Sequence, residues 1–493
     1  MSPDFVQLFR ALRLETSLLI GVFAVLGLDL VVAHRRTLEE RLRLSLWIGA
    51  LAIVAAMAHG WLGLRGSVFG GVLMFDRLAV ATRLGVLALS LLTLGMVRGA
   101  RVLQHPAEYV AIILIATMGF TLMAAAQQLL VAFLGLELAS LSLYVLAGFD
   151  KTRPESSEAA LKYFLVGGVS AAFLLFGISL IYGITGSIEL GEIARQLAVT
   201  RLTPLLVVGL VMVLVAFGFK AAAAPFQLWA PDVYEGAPPA SAALIASASK
   251  LASLVLFTRL LWNGFGATAG SISSLQNMPG WLPVLAIVSG VSILIGNLGA
   301  LAQGNVRRLL AYSAISHAGT LLLGVIAVGA GGARHLVWPI FYYATTYGVA
   351  TVGAFGVIAV VDGANPEGCH RLSDLAGLYR RSPLLAGCLA VFILSLAGIP
   401  PLAGFFGKFA VFAAALQLGG LQTAAGWLTL FAIAMSAVGL YYYLLILKQA
   451  LVAKPADQAR RVATPTVTAF ALLVAAVLLL VLGIFPSLVV DRL

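Results

Sequence analysis

Residues 215–250 read VAFGFKAAAAPFQLWAPDVYEGAPPASAALIASASK, and this stretch decides the fold. An apolar run ends on Lys220. Pro225 and Pro231 follow, then an acidic turn with Asp232, Tyr234 and Glu235. Pro238 and Pro239 open a second apolar run, which carries Lys250. Flanks this apolar leave both lysines in a hydrocarbon-like setting, where a charge is costly and marks function. Pro225 would clash with the carbonyl four residues back, at Ala221. A helix break is therefore expected beside Lys220, inside the span. Freed carbonyls and the negative end of a half-helix dipole should face its ammonium. A broken helix with a cation at the break is a site for moving ions or protons.

The flanks extend along the whole chain. Its 493 residues are 61% hydrophobic and 10% charged, against roughly 25% charge in soluble domains. No soluble core hides that much apolar surface, so the chain is an all-α polytopic membrane protein. The net charge of +11 does not indicate nucleic acid, because the basic residues sit in short loops between apolar runs. Cys369 and Cys388 have neither CxxC nor metal spacing, so no disulfide framework, iron–sulfur site or metal site is expected. The first apolar run lacks a small-residue cleavage pattern and reads as a retained span.

Runs of about 18 or more apolar residues read as spans. They lie near 15–33, 44–62, 78–98, 109–127, 129–149, 162–184, 204–222, 241–262, 282–303, 309–330, 335–361, 384–418, 423–447 and 466–488. The seventh is expected to break at Pro225 and the twelfth at Pro400-Pro401. Loop charges then set orientation. The side opposite the N-terminus gathers Arg35, Arg36, Arg41, Arg43, Arg98, Arg101, Arg307, Arg308, Arg380, Arg381, Arg460 and Arg461. The N-terminal side has a thinner scatter that includes Arg65, Arg195, Arg201, Arg334 and Arg492. Positive-inside places the first group in the cytoplasm and both termini outside. Arg83 and Arg259, near helix ends, are expected to snorkel.

A faint repeat organises the middle. Helices four to eight contain one broken helix with a lysine. Helices nine to thirteen contain a second, LAGIPPLAGFFGKFAVF, with Lys408. Five helices separate the blocks, so they should enter from opposite sides, as in inverted-repeat transporters. The expected division is a three-helix segment over 1–108, a first five-helix repeat over 109–264 and a connecting loop over 265–281. A second repeat covers 282–447, and a cytoplasmic loop with the last helix covers 448–493. The loop from Asp362 to Pro383 reads as a solvated or partner-facing linker.

Five ionisable residues within spans are singled out: Glu137, Lys220, Lys250, His317 and Lys408. Polar companions recur at helical spacing. Ser247, Lys250 and Ser253 share a face, as do Ser313, Ser316, His317 and Thr320. Glu137, Ser140 and Tyr144 form a third stripe, and Tyr343, Thr346 and Tyr347 a fourth. Interhelical hydrogen bonding explains any single stripe, and a neutral histidine bonded to a carbonyl explains His317 alone. Four stripes around three central lysines read instead as a proton wire whose titratable groups are its stations. Glu137 nearing or leaving Lys220 would hold or release the lysine's proton.

PDVYEGAPPASAALIASASK, NVRRLLAYSAISHAGTLLLG and LAGIPPLAGFFGKFAVF resemble subunit N of proton-translocating NADH:quinone oxidoreductase, in order and over nearly the whole chain. The resemblance implies fourteen helices with an inverted five-helix repeat. It implies that Glu137 is the fifth-helix glutamate and Lys220 its seventh-helix partner. Lys250 would be the connecting eighth-helix lysine and Lys408 the twelfth-helix lysine, with Lys162 at the start of helix six. Sister subunit M carries glutamate where this chain has Lys408, and sister subunit L adds a long lateral helix after its bundle. The resemblance also implies membrane-arm partners: subunit M, small subunit K and the lateral helix of subunit L. NADH, FMN, iron–sulfur clusters and quinone are expected in partner subunits and none in this chain. A bacterial inner-membrane location follows. Two alternatives remain at this point. One is a subunit of a multisubunit cation/proton antiporter, which shares the fold. The other is a non-transporting assembly subunit, which would not need central lysines.

Overall fold

The computed structural model describes residues 9–32, 35–98, 104–272, 279–331, 337–365, 368–454 and 461–491. The loop charges Arg101, Arg334, Arg460 and Arg492, and residues 273–278 of the expected 265–281 connection, lie outside them. Among the described residues, 13 helices are long and apolar enough to cross a membrane. They are α1 (Arg13–Val31), α2 (Leu38–Leu62), α3 (Arg77–Val97), α4 (Pro106–Ala125), α5 (Leu129–Ala147), α6 (Pro154–Thr185), α7 (Pro204–Ala221), α8 (Pro239–Gly264), α9 (Trp281–Leu301), α10 (Val306–Gly331), α11 (Val337–Ala364), α13 (Ala424–Val452) and α14 (Thr466–Ile484). Two shorter apolar helices, Pro383–Ala397 and Ala403–Leu416, make one interrupted passage, α12. With it the chain makes the expected fourteen passages.

Local chemistry sets the ends. Thr37 and Glu40 form a reciprocal capping box on α2, and Asp76 caps α3 through the Ala79 N–H at 2.7 Å, each using a donor the first turn leaves free. Pro154 opens α6, where its missing N–H is not needed. Helix six therefore starts eight residues before the expected Lys162, which lies two turns inside it. A two-stranded antiparallel hairpin, β1 (Gly66–Val68) with β2 (Leu73–Phe75), joins α2 to α3.

Burial separates core from rim. In its most apolar window α8 is 100% buried, and α10 and α11 are each 94% buried, while α2, α6 and α13 are only 33% buried. A helix that is apolar all round belongs inside, and these three central helices carry Lys250, His317, Tyr343 and Tyr347. The outer helices turn leucine, valine and phenylalanine outward, which suits lipid rather than water.

Several arginines sit where the sequence did not place them. Arg83 is 5% exposed and donates to both oxygens of Glu15, at 2.6 and 2.8 Å. Arg259 is equally buried and pairs with Asp76. Neither snorkels, because each is held by a carboxylate, buried Glu15 for Arg83 and exposed Asp76 for Arg259. Arg307, expected among the solvated loop charges, is fully buried and ion-paired with Asp362. Its Nε donates to the Cys369 carbonyl at 3.0 Å and its Nη1 to the Glu235 carbonyl at 3.1 Å. Asp362 also accepts the Cys369 N–H at 2.9 Å. The start of the expected linker is thus folded into the interior, since a buried carboxylate needs every donor it can reach.

The same cluster extends outward. Arg308 contacts Asp232 at 2.6 Å and Glu235 at 2.9 Å, and Lys162 contacts Asp232 at 2.6 Å. Asn305 donates to Glu235 at 2.7 Å. These bonds tie α6, the α7–α8 connection, α10 and α11 together at one end of the bundle. Burial pushes the Asp232 carboxyl up, but hydrogen bonds from Lys162 and Arg308 together with their charges outweigh it and hold it below the usual carboxylate value. A depressed carboxyl contributes stability above its unfolded value and loses it as pH falls through the folded one. The Asp232 contacts should therefore persist at neutral pH and loosen only below about pH 4, seen as an acid-side drop in melting temperature that Asp232→Asn removes. Asp362→Asn leaves Arg307 buried without its carboxylate and should cost about 3–5 kcal/mol. Glu192→Gln, in an exposed pair with Arg195, should cost under about 1 kcal/mol. Thermal unfolding of the purified protein measures both.

Candidate functional site

The first break lies at the end of α7. The helix stops at Ala221, and Ala222 takes a left-handed conformation with φ 56° and ψ 38°. The break therefore precedes Pro225 rather than falling on it, because a chain approaching proline leaves the helical region early and a left-handed cap closes the last turn. The Ala222 and Ala223 N–H groups donate to the Phe219 and Gly218 carbonyls at 2.9 and 2.8 Å. Trp229 Nε1 donates to the Phe219 carbonyl at 3.1 Å, and the Ala224 N–H donates to Ser292 Oγ on α9 at 2.8 Å. In lipid every freed backbone group needs such a partner.

These caps take up the Gly218 and Phe219 carbonyls, and among the described residues Lys220 meets no freed carbonyl here. Its ammonium turns to α5 instead and donates to Ser140 Oγ at 2.6 Å. Ser140 in turn donates to the Leu136 carbonyl at 2.5 Å. Glu137 is half-buried on the turn before Ser140. Among the described residues no ion pair within 4 Å joins Glu137 to Lys220. Tyr144 packs edge-on against Tyr163 at 4.7 Å between centroids, and Tyr163 stacks on Trp229 at 4.5 Å. An aromatic wall thus closes this end of the site.

Lys250 lies one turn beyond a third interruption, which the sequence did not announce. Helix α8 kinks at Ser247 (φ −114°, ψ −83°), whose hydroxyl bonds back to the Ala243 carbonyl at 2.6 Å. Such back-bonding competes with the helix ladder. The Lys250 ammonium donates to the Ala314 carbonyl at 2.8 Å and lies 5.2 Å from the centre of the Tyr347 ring. That ring packs on His317 at 4.8 Å. His317 Nδ1 bonds the Tyr343 hydroxyl at 2.5 Å and Nε2 bonds the Tyr443 hydroxyl at 2.9 Å. Tyr443 also bonds Ser313. Lys220, Lys250 and His317 are 5%, 4% and 4% exposed, so none reaches water at a membrane surface.

The second break repeats the first cap. Gly398 is left-handed (φ 85°, ψ 45°) at the end of the first half of α12, and Pro401 follows three residues later. Pro401 has no N–H, so the Ala397 carbonyl four residues back loses its helical partner. Lys408, half-buried on the second half, donates to that carbonyl at 3.0 Å. The meeting of freed carbonyl and ammonium that was expected at Lys220 occurs at this second break instead. The two halves approach closely at Gly404, where a Cβ would come within 1.9 Å of the Ser395 carbonyl. Gly407 lies against Tyr343, with 2.9 Å from a Cβ built there to the ring. The contact chain therefore runs from Lys250 through Tyr347, His317 and Tyr343 to the turn that bears Lys408.

The structure thus brings Lys250, His317, Tyr343 and Tyr347 together, and separately Lys220 with Ser140. Ser247 and Thr346 bond only to their own helices. Ser316 accepts from Asn297 Nδ2 at 2.7 Å, and Tyr442 donates to Asn297 Oδ1 at 3.1 Å. Asn297, Tyr442 and Tyr443 were not singled out from sequence. Asn297 is a lone amide in an apolar run and Tyr441–Tyr443 a tyrosine triplet, and both were visible signals. Among the described residues no group of three or more His, Cys, Asp or Glu side chains could hold a metal ion.

Residues 126–436 match the family described as NADH:quinone oxidoreductase/Mrp antiporter, transmembrane. The chain is 44% identical to NADH-quinone oxidoreductase subunit N 2 of Acidobacterium capsulatum over 99% of both chains. It superposes with a TM-score of 0.78 and 33% identity on a chain of respiratory complex I from Thermus thermophilus with bound aureothin, covering 97% of this chain and 98% of that one. A chain of the Mrp complex from Dietzia sp. shares the fold, with a TM-score of 0.79 at 21% identity over 97% of this chain and 95% of that one. With relatives this similar along its full length, the chain belongs to the subunit N family of NADH-quinone oxidoreductase.

Proposed function

We propose that this chain carries protons across the membrane as an antiporter-like subunit of the membrane arm, driven by electron transfer from NADH to quinone in partner subunits. The observation that carries this reading is the way its buried cations are held. Arg83, Arg259 and Arg307 each face a carboxylate. Lys220, Lys250 and Lys408 each donate to a neutral oxygen, from Ser140, Ala314 and Ala397. An arginine keeps its proton at any ordinary pH, so an arginine–carboxylate pair is a fixed strut. A lysine on a neutral acceptor can give its proton up and keep a hydrogen bond, since the amine still donates.

In this reading Glu137, Lys220, Lys250, His317 and Lys408 are the stations of the pathway. Ser140, Tyr144, Ser247, Ser316, Tyr343 and Tyr347 are its hydroxyl companions, with Tyr443 and Asn297 added. The bonds of His317 to Tyr343 and Tyr443 support a relay there, because an imidazole with a hydroxyl on each nitrogen can take a proton on one side and release it on the other. Transfer between Lys220 and Lys250 proceeds by side-chain movement or through an intervening water. Movement of Glu137 relative to Lys220 changes how firmly that lysine holds its proton. The shared cap geometry at Ala222 and Gly398 supports reading 109–264 and 282–447 as two structural repeats. Subunit M, subunit K and the lateral helix of subunit L are the proposed neighbours, and NADH, FMN, iron–sulfur clusters and quinone are assigned to partner subunits. Purifying the complex and identifying its chains separates this from a cation/proton antiporter: companion NADH-binding and iron–sulfur subunits are expected, and antiporter subunits alone would refute it.

Loop charge supports a cytoplasmic position for the end bearing Arg43, Arg98 and Arg308. A reporter fused after Leu493 should then read as extracytoplasmic, and a cytoplasmic signal would reverse the chain.

Lys220→Ala should assemble and lower NADH-driven proton uptake in vesicles by about tenfold or more. Lys220→Arg keeps the charge but cannot release a proton. If Lys220 relays protons, the arginine variant assembles and pumps poorly. Pumping near the wild-type level, normalised to assembled complex, would show that only the charge is needed.

Pro400→Ala with Pro401→Ala returns N–H groups to the Leu396 and Ala397 carbonyls and takes the latter from Lys408. Pumping should fall more than assembly does, and full pumping in an assembled double variant would remove the break from the mechanism.

A further inference from the structure

Away from every residue placed on the proton route, a groove of about 500 Å³ runs between α2, α3 and α14. Its floor is formed where α3 and α14 pack tightly together. A Cβ at Gly95 would meet the Ala471 Cβ at 2.8 Å, and Thr468 donates to the Gly95 carbonyl at 3.0 Å. Its walls include Leu46, Trp47, Ala50, Leu92, Phe470 and Val474. Trp47 and Phe470 are 66% and 69% exposed, so two large rings flank the trench without covering it. From Thr466 to Val474 the trench descends about 12 Å at the helical rise.

Only its mouth is charged. Arg43 on α2 and Arg98 at the end of α3 stand beside Thr466, the first residue of α14. Arg43 is exposed and has no hydrogen bond or ion pair among the described residues. Among the described residues Arg98 pairs with the exposed Glu39 at 2.9 Å. No side chain caps the first turn of α14, so its N–H groups add to the positive field. A basic mouth at the membrane surface above an apolar trench is complementary to a molecule with an anionic head and a hydrocarbon tail.

We propose that this groove is a binding site for one anionic diacyl phospholipid. Its phosphate sits between Arg43 and Arg98, and one acyl chain runs between Trp47 and Phe470. A zwitterionic head group would bring its own cation to a mouth that already carries two. A dissolved phosphate would leave the trench unused. A neighbouring subunit's helix would leave Arg43 without an anion.

The test uses the assembled complex, stripped of lipid in detergent and titrated with phosphatidylglycerol or phosphatidylcholine. Lipid bound to this subunit is counted by native mass spectrometry. Wild type should retain phosphatidylglycerol in preference to phosphatidylcholine, and inorganic phosphate should not displace it. Arg43→Gln should weaken retention about fivefold, and Arg43→Gln with Arg98→Gln about 30-fold. Ala50→Trp, which fills the trench and leaves both arginines, should abolish it. Equal retention of the two lipids, or no change in the double variant, would overturn the proposal. So would efficient cross-linking of Phe470→Cys to a neighbouring subunit in the lipid-replete complex.

Discussion

A polar group that cannot reach water must find its partner inside the bundle, and the rest of this structure follows from that requirement. The chain meets it in two ways. Regular helices satisfy their own backbones and present hydrocarbon to lipid and to each other. Where a helix breaks, at Ala222, Ser247 and Gly398, the freed groups are taken up by caps, by Trp229 and Ser292, or by Lys408. The breaks are tolerable because the groups they free find partners within the bundle.

The charged groups obey the same requirement with opposite results. Arginine with carboxylate gives struts that stay charged. Arg307 with Asp362 is the deepest of these, and Arg308, Asp232, Lys162 and Glu235 extend it to the rim. These struts hold helices from the two expected halves in register at one end. Lysine with a neutral oxygen gives positions whose charge is not locked. In the proposed relay, keeping the two kinds apart leaves the scaffold rigid while the lysines exchange protons.

Aromatic side chains around His317 connect Lys250 in a row to the turn that bears Lys408, while Lys220 stays apart with Ser140. His317 lies between Tyr343, Tyr347 and Tyr443, contributed by α11 and α13, while its own helix α10 offers Ser313 and the Ala314 carbonyl. No helix supplies more than part of this environment. The row therefore depends on the angle and depth at which α8, α10, α11 and α13 pack. That packing rests on small residues such as Gly407 at its contact with Tyr343.

The sequence by itself determined the membrane class, the fourteen passages, both proline-linked breaks and the three intramembrane lysines. These are local properties: hydropathy, a missing N–H and a charge in an apolar run can each be read along one segment. Helix ends were less legible. Pro154 began α6 two turns before the hydrophobic run, and Ala222 ended α7 three residues before the proline, because caps rather than hydropathy place the ends. Only the tertiary structure decided partners. It gave Lys220 to Ser140, buried Arg83, Arg259 and Arg307 on carboxylates that a one-dimensional reading left to solvent or to loops, and brought Tyr443 to His317 across 126 residues. Those pairings depend on which faces of distant helices meet, and that is fixed by packing rather than by any single stretch of chain.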